Sequence, residues 1–305
     1  MDLIQLLSFH EIVKTESFSK ASKNIFRSQS AVSHQIRNLE EELEVKLFER
    51  LGKGIKVTEE GRILFDIIDQ FFYDLDDLRK IYRDIKDSKV GNLTIASSSA
   101  MMTYVLPNII KQFTGRFKGI NFKLIACSSN SEILSLILEG ITDFGIGIKS
   151  SKILPKKINF LSWRTFDTLV MMKKDHPLSH QKPVTLGDIA SYPLIVYRKG
   201  SIIRNIIEEV YARKEIDYKI IMEVDVPENI KGYVEMGLGV GILSSVAITS
   251  KDQKKFAISN VNHLFGKVEI GIYYRKDQYI SMAMREFIQL FAPKLCDRLF
   301  SHSKS

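Results

Sequence analysis

Residues 18–50 read FSKASKNIFRSQSAVSHQIRNLEEELEVKLFER, and their spacing predicts two short helices joined by a tight turn. Glu16 and Ser17 lead into one helix beginning near Ser19. Ser28 is placed to cap the next, its side-chain oxygen accepting from an otherwise unpaired N–H of the first turn. In that second helix Val32, Ile36, Leu39 and Leu43 recur at steps of four, three and four, which makes one buried stripe. The opposite face carries Ser30, Ser33, His34 and Arg37. Between Glu16 and Glu40 the only charged side chains are Lys20, Lys23, Arg27 and Arg37, so a phosphate backbone laid on this face meets positive charge alone.

Upstream, Leu3 to Val13 has helical spacing. Downstream, Leu51-Gly52-Lys53-Gly54-Ile55-Lys56-Val57 alternates basic and apolar residues about two glycines, the pattern of a small β-hairpin wing. Gln29 and Ser30 fall in the first turn of the third helix, where a recognition helix presents side chains to base edges. A glutamine there can pair with adenine N6 and N7. Ser33, His34 and Arg37 reach bases or phosphates, and Arg50, Lys53 and Lys56 of the hairpin suit phosphate or minor-groove contact. With the capping Ser28, these nine residues form a candidate interface for double-stranded DNA.

From Thr58 to about Asp87 the chain predicts one helix, with Leu64, Ile68, Phe71, Leu75, Leu78, Tyr82 and Ile85 alternating steps of four and three. At about 1.5 Å per residue it would be about 40 Å long, more than a small domain can cover. The stripe therefore reads as a dimerisation arm and linker.

Beyond Gly91 short β runs alternate with helices, giving an α/β architecture in two sets of units with a ligand cleft between two lobes. Ser97, Ser98 and Ser99 follow one strand, and Ser128, Ser129 and Asn130 follow the next. Both groups present hydroxyls at helix N-termini, which favour anions. Arg198 and Ser201 precede a helix of the other lobe, with Arg198 as a counter-charge. A small, anionic effector is the ligand these eight residues would take.

Composition narrows the function. Of the 305 residues 45% are apolar and 26% charged, an ordinary globular balance, with no apolar run near the roughly 20 residues that span a bilayer. No secretory pattern opens the chain, and Cys127 and Cys296 cannot build a disulfide framework, so a cytoplasmic location is expected. The net charge of +8 is misleading. The first 90 residues hold 15 Lys and Arg against 17 Asp and Glu, leaving 29 against 19 for the remainder. Gly237, Gly239 and Gly241 lead from a helix into a strand, the reverse of a dinucleotide fingerprint. His176 and His180 flank Pro177 with no third ligand in reach of the pattern, and no nucleophile, base and orienting group are marked out, so neither a metal, a cofactor nor catalysis is expected. Cys127 reads as a buried structural cysteine.

SFSKAS, SQSAVSHQIRNLEEELEVKLFER, VTEEG and the later GLGVGIL together resemble the LysR-type transcriptional regulators over nearly the whole chain. The resemblance implies a winged helix-turn-helix over 1–58, a linker and dimerisation helix over 59–90, and a periplasmic-binding-protein-like effector domain over 91–305. Its lobe I would span about 91–161 and 268–305, and lobe II about 162–267. It further implies a homodimer or homotetramer on promoter DNA, whose grip an effector alters. VEMGLGVGILSSVAI and IGIYYRKDQYISMAMREFIQLFAPKL are similar to the regulators of cysteine biosynthesis in that family, which implies control of sulfur metabolism. Ser22 stands where a second alanine is usual and Ser30 where proline is usual. In that subgroup a Thr- and Gln-containing turn binds a sulfate-like or acetylserine-type effector. Here the turn runs Ala96 to Thr103, with Ser98 retaining a hydroxyl and Ala100 and Met101 lacking polar groups. The competing reading, a solute-binding receptor using the lobes alone, lacks a role for the recognition helix.

Overall fold

The computed structural model describes residues 1–51, 54–87, 89–150 and 153–295, Arg50 and Leu51 by backbone alone. They form two compact units, Met1–Lys80 and Ile81–Ser305.

In the first, α1 (Leu3–Thr15), α2 (Phe18–Asn24) and α3 (Gln29–Leu43) precede the hairpin β1 (Phe48–Leu51) and β2 (Gly54–Val57), and α4 (Glu59–Asp87) follows. Each early helix starts on a side-chain cap: Asp2, Ser17 and Ser28 accept from the backbone N–H of Gln5, Lys20 and Ala31. Phe9, Ile12, Ala21, Val32, Ile36, Leu39, Leu47 and Ile68 share one buried core. Ser22 is buried too, and its hydroxyl donates to the Ser19 carbonyl at 3.0 Å, so the polar group standing in for alanine is satisfied within its own helix. Thr58 opens α4 by donating to the Lys46 carbonyl (2.7 Å) and accepting from Gly61 N (3.0 Å). A Cβ at Gly61 would sit 2.5 Å from the Leu47 carbonyl oxygen, so glycine is what lets α4 start against the wing. His10 Nε2 lies 3.0 Å from Asp69 Oδ1, and its ring stacks on Phe65, fastening α1 to α4.

The seven-residue stripe on α4 is not one surface. Ile68 is buried and Leu64 packs on the same core, whereas the exposed apolar side chains are Ile63, Ile67, Phe71, Leu78, Ile81, Tyr82 and Ile85, with Leu75 half-buried. Leu64 and Ile68 are thus corrected from dimer contacts to domain core. The reason is geometric: a straight α-helix drifts about 20° per heptad against a 3.5-residue repeat, roughly 60° over this stripe, so its two ends face different ways.

The second unit holds two lobes. One sheet has the order β4 (Gly119–Cys127), β3 (Val90–Ser98), β5 (Phe144–Ile148), β12 (Val268–Arg275), β6 (Ile158–Phe166). It is flanked by α5 (Ser99–Tyr104), α6 (Leu106–Arg116), α7 (Asn130–Leu138) and α13 (Met282–Phe291). Asp84 near the end of α4 accepts from Tyr279 Oη (3.1 Å) and from Met282 N (2.7 Å) at the start of α13. The other sheet runs β11 (Phe256–Asn260), β7 (Thr168–Lys173), β10 (Val240–Ser244), β8 (Leu194–Tyr197), β9 (Ile220–Val224). With it go α8 (Leu186–Ala190), α9 (Ile202–Lys214), α10 (Pro227–Glu235), α11 (Ser250–Lys255) and α12 (Asn262–Phe265).

Strands β6 and β11 and helices α5, α8, α11 and α12 were not predicted by the sequence pattern. Strand β6 also moves the lobe boundary: its pairing with β12 continues to Phe166, opposite Val268, so lobe II starts at Asp167 and not at Ser162. The last helix, α13, ends at Phe291, and Cys296 lies outside the described residues. In GLGVG, Gly237 takes φ +78° after α10, while a Cβ at Gly239 or Gly241 would meet the Pro193 carbonyl or Ile230 at 2.3 Å. Gly237 thus serves the turn out of α10, Gly239 the approach to the Pro193 backbone, and Gly241 the packing of α10 on β10.

Candidate functional site

Helix α3 puts Gln29, Ser30, His34 and Arg37 on its exposed face, with Ser33 half-buried beside them. Ser28 Oγ accepts from Ala31 N at 3.2 Å and shares a 3.0 Å hydrogen bond with Ser30 Oγ, so it orders the first turn. His34 Nδ1 lies 3.4 Å from Asn38 Nδ2. Lys56 is exposed on β2, across from Glu49. Lys53 and the side chain of Arg50 lie outside the described residues. Glu40, which the sequence pattern hid within a run of three glutamates, organises this face: its Oε1 accepts from Leu47 N (2.8 Å) and Phe48 N (3.3 Å), and its Oε2 pairs with Lys46 (2.8 Å). One largely buried carboxylate therefore fixes the hairpin to α3.

A narrow cleft lies between the lobes of the second unit. Ser98, Ser99, Ser128, Arg198 and Ser201 all line it, gathered from the ends of β3, β4 and β8. Ser201 caps α9 through its backbone without a side-chain capping bond, which leaves its hydroxyl for a ligand.

Three predicted residues are elsewhere. Ser97 is fully buried and donates to the Ile146 carbonyl at 2.8 Å, because alternate residues of β3 face opposite sides. Ser129 caps α7, accepting from Glu132 N at 3.2 Å. Asn130 donates to the Ile148 carbonyl and to Tyr273 Oη (2.9 Å), a phenol that burial pushes up to about 12 and that also accepts from Ser150 N.

The pattern missed Tyr197, Asp225 and Ser244, which also line the cleft. Asp225 matters most, since it pairs with Arg198 at 2.9 Å and partly neutralises the intended counter-charge. Cys127 lines the cleft as well; burial, then the charge of Glu132, pushes its thiol up to about 11, so it is a neutral wall group.

The two lobes are also joined by a polar bridge. Lys231 Nζ on α10 donates to Tyr104 Oη on α5 and to Asp252 Oδ2, both at 2.7 Å, and lies 4.6 Å from the Tyr104 ring centroid. The sequence offered no signal for it. His176 Nδ1 accepts from Leu178 N at 3.2 Å, which closes the turn at Pro177. Among the described residues no helix is long and apolar enough to cross a membrane.

Comparison with known proteins gives two family matches. Residues 3–62 match the bacterial regulatory helix-turn-helix protein of the lysR family, and residues 86–295 the LysR substrate binding domain. The HTH-type transcriptional regulator CysB of Burkholderia cenocepacia is 29% identical over 305 residues, covering 99% of this chain and 97% of its own. The HTH-type transcriptional regulator cbl of Klebsiella aerogenes is 30% identical over 292 residues, covering 95% and 92%. Among solved structures, the cofactor-binding domain of the Cbl transcriptional regulator aligns with a TM-score of 0.64 at 27% identity, over 71% of this chain and 95% of its own. A full-length OxyR variant from Pseudomonas aeruginosa aligns at 0.68 over 98% and 94%, and at 17% identity it bears on the fold alone.

Proposed function

This chain belongs to the LysR family of DNA-binding transcriptional regulators, and on that premise we propose that a small anionic metabolite of sulfur or cysteine metabolism controls its hold on promoter DNA. The observation that carries the effector reading is the convergence of Ser98, Ser99, Ser128 and Ser201 with Arg198 in one cleft between the lobes. Hydroxyls supply adaptable donors and the guanidinium supplies charge, the combination that a carboxylate or sulfate group requires. The similarity to regulators of cysteine biosynthesis supports the pathway.

The DNA is read by Gln29, Ser30, Ser33, His34 and Arg37, with Lys56 on phosphate, in a dimer or tetramer built through the exposed stripe of α4. Control is a population shift. An effector that prefers one lobe arrangement moves the oligomer toward the DNA geometry of that arrangement, by no more than its differential affinity. The protein has no catalytic step, and it acts in the cytoplasm, on the promoter.

Two measurements test the reading. In fluorescence anisotropy with duplex DNA from upstream of its own gene, Gln29→Ala with Arg37→Ala abolishes sequence-specific binding; retained specificity would refute the assigned face. In calorimetry, sulfate or an acetylserine binds the wild type, and Ser98→Ala with Ser201→Ala removes that binding. A pathway outside sulfur chemistry is indicated if neither binds and another anion does.

A further inference from the structure

Phe26 is 93% exposed, whereas Phe9, Phe18, Phe48, Phe65 and Phe72 of the same unit belong to or pack on the core and Phe71 is 46% exposed. It also holds φ +55°. The conformation has a clear origin: Phe26 N donates to the Lys23 carbonyl (3.2 Å) and Arg27 N to the Ser22 carbonyl (2.9 Å), the paired closing bonds that end a helix on a left-handed residue. Glycine or asparagine occupies such a position at least cost, because a Cβ crowds the carbonyl there. The other described non-glycine residues with positive φ, Glu16, Glu44 and Glu215, are carboxylates that water solvates. Phe26 alone among them puts an apolar ring into solvent at a strained position, with no packing in return.

The ring stands two residues before Ser28, the cap of the recognition helix, and between the exposed cations Lys23 and Arg27. A surface of that charge is built to meet phosphate, which makes DNA the body that covers the ring. B-DNA presents one apolar group at the edge of its major groove, the thymine 5-methyl, and phenylalanine is among the side chains that pack on it. We propose that Phe26 is a specificity-determining residue that reads a thymine methyl beside the bases contacted by the first turn of α3. The inference rests on DNA binding through α3 and adds a contact to it.

The test uses the full chain and the tightest-binding duplex selected from a random-sequence library. Phe26→Asn suits the left-handed backbone, so its thermal midpoint equals or exceeds that of the wild type while its affinity for the duplex falls several-fold. Replacing the duplex thymines with deoxyuracil weakens the wild type by roughly fourfold per contacted methyl, the transfer value of one buried carbon, and leaves Phe26→Asn unaffected. The proposal fails if Phe26→Asn binds as tightly as the wild type, or if both proteins respond equally to deoxyuracil. Selection of no duplex at all by the wild type would overturn DNA reading itself, whereas normal selection with an indifferent Phe26→Asn overturns the methyl contact alone.

Discussion

Arg198 and Asp225 leave the ends of neighbouring strands β8 and β9 and meet in an ion pair, Nε to Oδ1, of 2.9 Å at the wall of the cleft. Their side chains are 52% and 62% exposed, so the pair contributes about 0–1 kcal/mol. A pair that weak can be exchanged for a ligand. Asp225→Asn frees the guanidinium and tightens binding of an anionic effector by up to about fivefold, the equivalent of 1 kcal/mol, whereas Arg198→Gln weakens it. Calorimetry reads both; an affinity indifferent to Asp225 would show that the anion does not use Arg198.

Lys231 ties Tyr104 of one lobe to Asp252 of the other, with Lys231 and Asp252 only 11% and 13% exposed. Helix α5 begins beside cleft residues Ser98 and Ser99 and ends at this bridge, so ligand contacts and lobe closure share one short element. Lys231→Met leaves the Asp252 carboxylate with its bonds from Thr249 but no counter-charge, and lowers stability in thermal or urea unfolding. Tyr104→Phe loses only the phenol bond, keeps the fold and loosens the lobes, which lowers effector affinity. Equal affinity in Tyr104→Phe would remove the bridge from the closure.

The same bridge has a pH signature. Burial acts to raise the Asp252 carboxyl, but hydrogen bonds from Lys231 and Thr249 win and hold it below the ordinary carboxylate value. A depressed pKa contributes stability that is full above the unfolded value, near 4, and fades as pH falls through the folded one. Acid unfolding of the wild type therefore draws on this group below about pH 4, and Lys231→Met moves that sensitivity upward. A pH–stability curve identical in the two proteins would contradict the assignment.

The buried and exposed faces of α3 were legible because helical period alone separates Val32, Ile36 and Leu39 from Gln29, His34 and Arg37. The cleft was half legible. A serine after a strand can line a site, cap a helix or bridge strands: Ser98 both lines the cleft and caps α5, Ser129 caps α7, and Ser97 bridges β3 to β5. Only the tertiary position tells them apart. Asp225 and Lys231 could not be found at all, since each meets its partner across a separate βα unit, Lys231 and Tyr104 being 127 positions apart. Strand β6 escaped for a different reason: as an edge strand paired only with β12, its sequence Ile158–Phe166 mixes Asn159, Ser162, Arg164 and Thr165 with apolar residues.

The stripe on α4 divides two mutational outcomes that the bare heptad pattern would merge. Ile68→Ala opens a cavity in the N-terminal core and costs about 2–5 kcal/mol, seen as a lowered unfolding midpoint at unchanged oligomeric state. Ile67→Glu and Leu78→Glu, at exposed positions, leave that midpoint in place and dissociate the oligomer in analytical ultracentrifugation. Ile67→Glu remaining fully associated would move the interface off this face.

Cys127 offers the last check, on whether the cleft also senses oxidants. Burial first, then the Glu132 carboxylate, pushes its thiol up to about 11, against a weaker opposing hydrogen bond from the Ser97 backbone. At pH 7 the thiolate fraction is then on the order of one in ten thousand, and the thiolate is the species that peroxide and alkylating agents attack. Iodoacetamide should label Cys127 in the native protein orders of magnitude more slowly than in urea, with a rate that climbs toward pH 11. The neutral thiol is the form the fold favours, so its contribution to stability is full below the ordinary thiol pKa and is lost as pH rises through the elevated one. Cys127→Ser accordingly retains DNA binding and effector response in the presence of peroxide and in its absence. Fast labelling at neutral pH, or a peroxide response that Cys127→Ser abolishes, would make this residue a sensor after all.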